Sequence, residues 1–443
     1  DNAYVDVNLE NQVATINKGF VQDGHGYYEL GGTAELAGNK QLNIDATAET
    51  VRIENIAQLA TDTKVTGWLS LRSKVTGSMD NPVVRGFVHA WDGSVGGKLF
   101  SDVHFGFRYA DNFFGIRDLV AKAYGATLYG QGKMVNNNLD FTFFGDMIYL
   151  EPWLKEYGDV SGYMTIEGSI KGSIDKPIVE GTIGSNSVVI NGMALKNIQG
   201  TIYADPTVVN LRKVSFDDGE TGHFMIDGGM TLDGQQRLFG YATIENGNLS
   251  NFLKLGKVPA ENMTGSINGR LDLGGSLKNP DLTLKGTIDN IAVGDTPWGT
   301  ATLDVSLADK KLTINKGELP IGDGMIAAAG TADLNGDSDI QIAANNVALS
   351  ALMPLASTQI PLTGNLHLIA NVTGKTLNPH VELSTEVVNA NYNGVGLDRV
   401  YAMATMDDKV IHVQQLVGQR GEYKARISGD MPLAAIYTSG YLP

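Results

Sequence analysis

The amino-acid sequence predicts a mainly β fold: an elongated, repetitive antiparallel sheet with one short helix in each repeat of about 100 residues. The first observation behind this prediction is a turn motif resembling Gly-Ser-x-x-Asn-Pro at residues 77–82, 172–177, 275–280 and 374–379. The second is the alternation of apolar and polar residues over many short segments. The third is the abundance of glycine, 54 of 443 residues, with Asn-Gly and Asp-Gly pairs between apolar runs. Together they indicate strands joined by tight turns in a unit that recurs.

The prolines of the turn motif give the period of the repeat. Pro82, Pro177, Pro280 and Pro379 are separated by 95, 103 and 99 residues (177 − 82, 280 − 177 and 379 − 280). We therefore predict a partial repeat over 1–76, full repeats over 77–171, 172–274 and 275–373, and a partial repeat over 374–443. Proline has no N–H to donate to a sheet, so each of the four is interpreted as the start of a strand, with no chemical role.

Alternation assigns a set of apolar residues to one face of the predicted sheet. Because side chains alternate between the two faces of a strand, apolar residues two positions apart share a face. In the later repeats this set is Leu271, Leu273, Leu282, Leu284, Leu303, Val305, Leu307, Leu312, Ile314, Leu366 and Leu368, and in the second repeat it is Val103, Phe105 and Phe107. A β-bulge would shift the assignment locally.

Short helices are predicted where apolar residues recur at helical spacing, once in each repeat, just before its strand pair. The segments are 53–60, 149–157, 249–255 and 349–355. Asn248 and Ser250 are candidate caps of the third helix. Each repeat would then hold six to eight strands and one helix.

Composition excludes several classes of function. The net charge is −16 with no basic patch in the sequence, which argues against nucleic-acid binding. There is no cysteine, which is compatible with an oxidising compartment. No apolar stretch approaches the ~20 residues of a membrane-spanning helix. The start at Asp1, inside a repeat, indicates a fragment, so a membrane anchor would lie outside this chain.

No motif in the chain indicates catalysis. The seven histidines are scattered and none lies beside a recognisable nucleophile. Residues 333–339 resemble the start of a calcium-binding loop, but Ser338 stands where the sharp turn needs glycine. We therefore predict a protein that is not an enzyme and has no metal ion or cofactor.

A long sheet with one apolar face must cover that face. About 30 strands at ~4.8 Å spacing would extend ~140 Å, and exposed apolar patches of such size are unusual. The sheet could close into barrels, pack as a sandwich, or curl into a trough with an apolar lining. Frequent glycines favour curling. A trough leaves a hydrophobic groove, which would suit an acyl chain moving through water.

The turn motif and its context resemble the AsmA-like/TamB-like repeat proteins of double-membraned bacteria. The resemblance covers nearly the whole chain, although Lys176 replaces the Asn in one copy and Lys375 the Ser in another. It implies a bridge-like "β-taco" in the periplasm, anchored in the inner membrane, that moves phospholipids between inner and outer membranes. It also implies an outer-membrane barrel partner of the TamA/BamA type, and it offers no catalytic residues.

Three hypotheses follow, and they differ in what they require of the apolar face. The first is a lipid conduit whose apolar groove solvates phospholipid acyl chains, so that one Asp or Arg at Leu284 or Val305 would block transport. The second is a scaffold that assists outer-membrane protein assembly by offering sheet edges to nascent strands, which would tolerate those changes. The third is a surface adhesin with its apolar face fully buried.

Overall fold

The structure is a computed structural model that describes residues 2–54, 63–155, 158–219, 221–255, 262–355 and 362–433. It confirms the prediction of a mainly β, antiparallel fold: the 27 strands belong to one sheet, and the three helices in the described residues are short. The chain divides into two compact units, residues 1–191 with 197–209 (unit 1) and residues 192–196 with 210–443 (unit 2).

Unit 1 contains the first twelve strands, each paired with its sequence neighbour. They are β1 (Asn2–Glu10), β2 (Val13–Asp23), β3 (Gly26–Glu35), β4 (Gln41–Arg52), β5 (Val65–Ser78), β6 (Asn81–Val95), β7 (Lys98–Ala110), β8 (Phe113–Ala123), β9 (Ala126–Val135), β10 (Asn138–Tyr149), β11 (Val160–Ser173) and β12 (Lys176–Ile190). The division between the units passes through β13 (Met193–Ala204) and β14 (Val208–Asp217).

Unit 2 contains the remaining thirteen strands, again paired in sequence order. They are β15 (His223–Thr231), β16 (Leu238–Asn248), β17 (Met263–Gly275), β18 (Pro280–Val293), β19 (Thr296–Ala308), β20 (Lys311–Ile321), β21 (Gly324–Asp333), β22 (Asp337–Ala348), β23 (Leu362–Lys375), β24 (Asn378–Tyr392), β25 (Val395–Asp407), β26 (Val410–Arg420) and β27 (Tyr423–Pro432).

The helices follow every sixth strand and are mostly shorter than predicted. They are α1 (Glu151–Leu154) after β10, α2 (Leu249–Leu255) after β16, and α3 (Leu349–Leu352) after β22, the last continued by a 3-10 turn, Met353–Leu355. Of the helix predicted at 53–60, residues 55–60 lie outside the described residues. The prediction at 149–157 was wrong at its start, because Tyr149 still belongs to the β10 ladder.

Local chemistry explains the ends of these helices. The bounds predicted for α2 are confirmed, and the Asn248 side chain accepts a hydrogen bond from the Ser250 backbone N–H at 2.9 Å, as a cap does. Ser250 is not a cap, because its hydroxyl donates to the Met263 carbonyl at 3.0 Å. In α3 the α-helical part ends before Pro354, whose nitrogen has no hydrogen to donate to an earlier turn.

The four repeat-marker prolines lie at the first or second residue of β6, β12, β18 and β24. Pro82, Pro177, Pro280 and Pro379 each oppose the glycine of their own turn, which has φ between +71° and +92°. We call this end of the strands the turn end and the opposite end, where the helices lie, the helix end. Turns at the turn end bond to one another in unit 2: the Leu334 N–H donates to the Lys310 carbonyl at 2.9 Å.

The cores of both units form at the helix end. In unit 1, Val51, Ile53 and Leu69 are buried together, and Leu150 at the start of α1 packs with Val160 and Val188 of the strands beside it. In unit 2 the corresponding clusters gather around the two other helices: Phe224, Ile244, Leu249 and Ile267 beside α2, and Ile291, Val293, Trp298, Ala301, Ile321, Ala344 and Val347 beside α3. The helices therefore cover the apolar residues at one end of the strands.

Candidate functional site: the apolar face

Strand register brings the predicted apolar residues of unit 2 onto one face. Leu271 on β17 opposes Leu284 on β18, and Leu284 opposes Val305 on β19, which opposes Ile314 on β20. Directly opposed side chains of an antiparallel pair project from the same side of the sheet. We call this side the apolar face of unit 2 and the other side its polar face.

The line of opposed residues continues to the last strand of the unit. This central row takes one residue from each of β17 to β27: Leu271, Leu284, Val305, Ile314, Gly330, Ile340, Val372, Val381, Met406, Ile411 and Met431. Ten of the eleven carry apolar side chains, and each of the eleven is only partly buried. Ten strand spacings correspond to about 50 Å of sheet. The row is thus a continuous apolar surface that remains accessible.

The other predicted residues of unit 2 lie beside this row on the same face. Leu273, Leu282, Leu307 and Leu312 form a second opposed row nearer the turn end. Leu303 opposes glycines on both neighbouring strands, and Leu366 and Leu368 oppose Val347 and Ala344 of the buried cluster. All are partly buried. Leu284, Leu366 and Leu368 also pack against buried clusters, so these three contribute to the core as well.

In unit 1, Val103, Phe105 and Phe107 lie together on β7, opposite Ala90, Val88 and Gly86 of β6. The Phe107 ring lies across Gly86, where a Cβ atom would come within 2.6 Å of the ring. The same face of β1 to β5 forms a cavity of about 360 Å³, whose apolar lining includes Val5, Ile16, Leu30, Ala48 and Leu71. Unit 1 therefore has an accessible apolar face of its own.

The α3 helix reaches back across the apolar face of unit 2. The indole N–H of Trp298 on β19 donates to the Ala351 carbonyl in α3 at 2.9 Å. The chain enters α3 from β22, three strands away from β19, and three spacings amount to about 14 Å in a flat sheet. Trp298 is 7% exposed and belongs to the buried cluster beside the helix.

Bulges at the helix end are a repeated feature that the sequence analysis missed. The strand that leads into each repeat-marker turn has a break in register beside a glycine with φ between +130° and +159°. These strands are β5, β11, β17 and β23, and the glycines are Gly67, Gly162, Gly265 and Gly364. A Thr-Gly or Ser-Gly pair marks each, and these glycines have the same spacings as the prolines, 95, 103 and 99 residues. Comparing the repeats with one another would have found them. Bulges increase local twist and bend a strand.

The polar face carries cross-strand ion pairs. Lys285 lies 3.3 Å from Asp304, and Arg399 lies 2.8 Å from Glu386. The His380 Nδ1 lies 2.6 Å from the Asp407 carboxylate, and this hydrogen bond raises the pKa of His380 above its ordinary value. Exposed pairs of this kind contribute little stability individually. Charged side chains therefore lie on the polar face, whereas apolar side chains lie on the other.

Residues 333–339, which resemble the start of a calcium-binding loop, connect β21 to β22 as a hairpin. The Asp333 carboxylate accepts the Asn335 N–H at 2.8 Å, and Asp337 lies 3.0 Å from Lys375. Within the described residues, no His, Asp and Glu side chains gather into a group suited to hold a metal ion. Among the helices of that same part of the chain, none combines the length and apolarity needed to cross a bilayer.

Comparison with known proteins adds no relative: the chain matches no protein-family model, and neither a curated protein nor a solved structure is significantly similar to it.

Proposed function

We propose that the sheet curls about its apolar face into a hydrophobic groove, and that this groove carries phospholipids between the inner and outer membranes. The central row of unit 2 carries the proposal, because eleven consecutive strands present an apolar surface that the protein itself covers only in part. Exposed apolar patches beyond a few hundred Å² are unusual in proteins that work in water without a ligand or partner. An acyl chain would gain about 0.8 kcal/mol per buried CH₂ on such a surface.

Two further observations support a curled sheet. The Trp298–Ala351 hydrogen bond holds α3, which the chain enters from β22, against β19, three strands away in the sheet. The bulged glycines recur at the helix end of each strand that leads into a repeat-marker turn, where they would bend the sheet in the same way each time. Periplasmic location, an inner-membrane anchor and a barrel partner of the TamA/BamA type belong to the same proposal and rest on the resemblance of the turn motif.

The packing of the central row decides where a charged substitution can test the groove without disturbing the fold. Leu284 packs against the buried cluster beside α2, so a charge there would also threaten the fold. Val305 opposes Leu284 and Ile314 in the central row and is only partly buried. The next residue, Ser306, opposes Thr283 and Thr313 on the polar face. Val305→Asp and Ser306→Asp therefore place the same charge one residue apart on opposite faces.

The test is native mass spectrometry of the purified chain and its two variants, together with phospholipid transfer between donor and acceptor vesicles. We expect several phospholipids per wild-type chain, retained by Ser306→Asp and largely lost by Val305→Asp, with unchanged circular dichroism in all three. Wild-type lipid content and transfer in a folded Val305→Asp protein would refute the conduit. That result is the one expected of a scaffold that uses sheet edges, since backbone pairing does not depend on the apolar face.

A further inference from the structure

Four cationic side chains line one depression on the polar face of unit 1, which is the side of the sheet opposite Phe107 and the other apolar residues of β7. Arg85 on β6 directly opposes Arg108 on β7, and Arg108 opposes Gly115 on β8. On its other side Gly115 opposes Lys133 on β9. Arg117, two residues beyond Gly115 on β8, projects from the same side of that strand. We call these four side chains, with the glycine at their centre, the cationic cluster.

The cationic cluster is not explained by ion pairing. None of its four side chains forms an ion pair within the described part of the chain, although the protein carries a net charge of −16. Lys74, which opposes Arg85 on its other side, does have a partner, Asp45 at 3.2 Å. Like charges directly opposed on neighbouring strands destabilise a sheet. Folding alone therefore gives no reason to place Arg85 against Arg108.

The cluster borders a depression in the sheet surface. Its volume is about 660 Å³, and its lining includes all four cations. The Phe113 ring forms part of the floor, because it lies across Gly115, where a Cβ atom would come within 2.9 Å of the ring. The guanidinium carbon of Arg108 lies 5.4 Å from the centre of that ring. One carboxylate, Asp140, also lines the depression, which leaves a local charge of +3 (four cations and one anion).

We propose that the cationic cluster binds a phosphate group. Guanidinium groups match phosphate oxygens with two parallel hydrogen bonds, and three arginines around one depression can share a multiply charged anion. A bound phosphate would also relieve the repulsion between Arg85 and Arg108. The recognised chemistry is the same in a soluble phosphate and in an anionic lipid headgroup. The site lies on the polar face, so the proposal does not depend on lipid transport along the apolar face.

Calorimetric titration with inorganic pyrophosphate tests the soluble form, and flotation with phosphatidylglycerol or phosphatidylcholine vesicles tests the headgroup form. The variant is Arg108→Gln. The control is Arg399→Gln, which removes the same charge from the polar face of unit 2, where Arg399 has Glu386 as its partner. We expect Arg108→Gln to weaken binding about tenfold or more, and Arg399→Gln to leave it unchanged. A wild-type melting temperature in both variants without ligand shows that they are folded.

The outcomes separate the two sources of phosphate. Loss of pyrophosphate binding in Arg108→Gln alone assigns the site to soluble phosphates. Loss of phosphatidylglycerol binding in Arg108→Gln alone, with no pyrophosphate binding in the wild type, assigns it to lipid headgroups. Absence of both kinds of binding in the wild type would overturn the proposal. Equal loss of binding in Arg108→Gln and Arg399→Gln would also overturn it, because the effect would then reflect the net charge of the protein rather than this site.

Discussion

Replacing Trp298 by phenylalanine should loosen α3 from the sheet while leaving most of the ring in place. The substitution removes the 2.9 Å hydrogen bond to the Ala351 carbonyl. A protein hydrogen bond contributes about 1 kcal/mol net, and a buried carbonyl left without a partner costs about 1–3 kcal/mol. The smaller ring also leaves a gap in the cluster that holds Val347, which is 0% exposed. We expect a local loss of about 2 kcal/mol.

Hydrogen exchange at the amides of residues 349–353 and 355 is the appropriate assay, because a long sheet of repeats does not have to unfold as a single cooperative unit. A loss of about 2 kcal/mol raises the population of the open form roughly 30-fold, and exchange should accelerate by that factor. Trp68→Phe serves as the control, since Trp68 on β5 stacks beneath Arg52, at 4.0 Å, far from α3 in sequence. Unchanged exchange at 349–355 in Trp298→Phe would refute the claim that this contact holds the helix across the strands.

Two further predictions concern the His380–Asp407 hydrogen bond on the polar face and the close approach of neighbouring strands at Gly330. Because the Asp407 hydrogen bond raises the pKa of His380 in the folded protein, its stabilising effect is complete below the unfolded pKa and is lost as the pH rises through the folded value. The melting temperature of the wild type should therefore be lower at pH 8 than at pH 6. The difference between the two pH values should be smaller in His380→Gln. An NMR titration of His380 checks the direction of its pKa shift. Gly330→Ala should cost about 2 kcal/mol or more, because its φ is +137° and a Cβ would lie 2.2 Å from the Asp339 carbonyl oxygen. Gly396→Ala, where nothing lies within 4 Å, should stay within about 0.5 kcal/mol in denaturant titrations, and equal losses would contradict the steric argument.

The sheet could be predicted because its local signals agree with its final structure. Leu282 and Leu284 alternate with polar residues on β18, and their partners Leu307 and Val305 do so on β19, so each strand indicates its own apolar and polar sides. The helices were harder, because one or two turns provide too few residues to fix both ends. α2 has Asn248 to mark its start, whereas α1 follows Tyr149 without a side-chain cap.

Bulges near the helices could not be predicted from any single repeat. Near the helix end, β4, β10, β16 and β22 each have a residue with φ between +51° and +53° at a break in register: Thr50, Met147, Asn246 and Asn346. Asparagine adopts this conformation readily, but threonine and methionine give no such signal. At those two positions the surrounding ladder imposes the conformation. These breaks in register were therefore found only in the structure.

The two proposed sites use the alternation of the β-strand in complementary ways. On β7, Phe107 lies on the apolar face and the next residue, Arg108, lies in the cationic cluster on the polar face. The cluster escaped the sequence analysis because its members are spread from residue 85 to residue 133, and only the register of β6 to β9 brings them together. A charge on one face projects away from the other, so the two hypotheses can fail separately. Val305→Asp should remove most of the co-purifying phospholipid and leave phosphate binding at the cationic cluster at the wild-type value. Arg108→Gln should weaken that phosphate binding about tenfold or more and leave the amount of co-purifying phospholipid unchanged. Loss of both in a variant with unchanged circular dichroism would contradict the independence of the two faces.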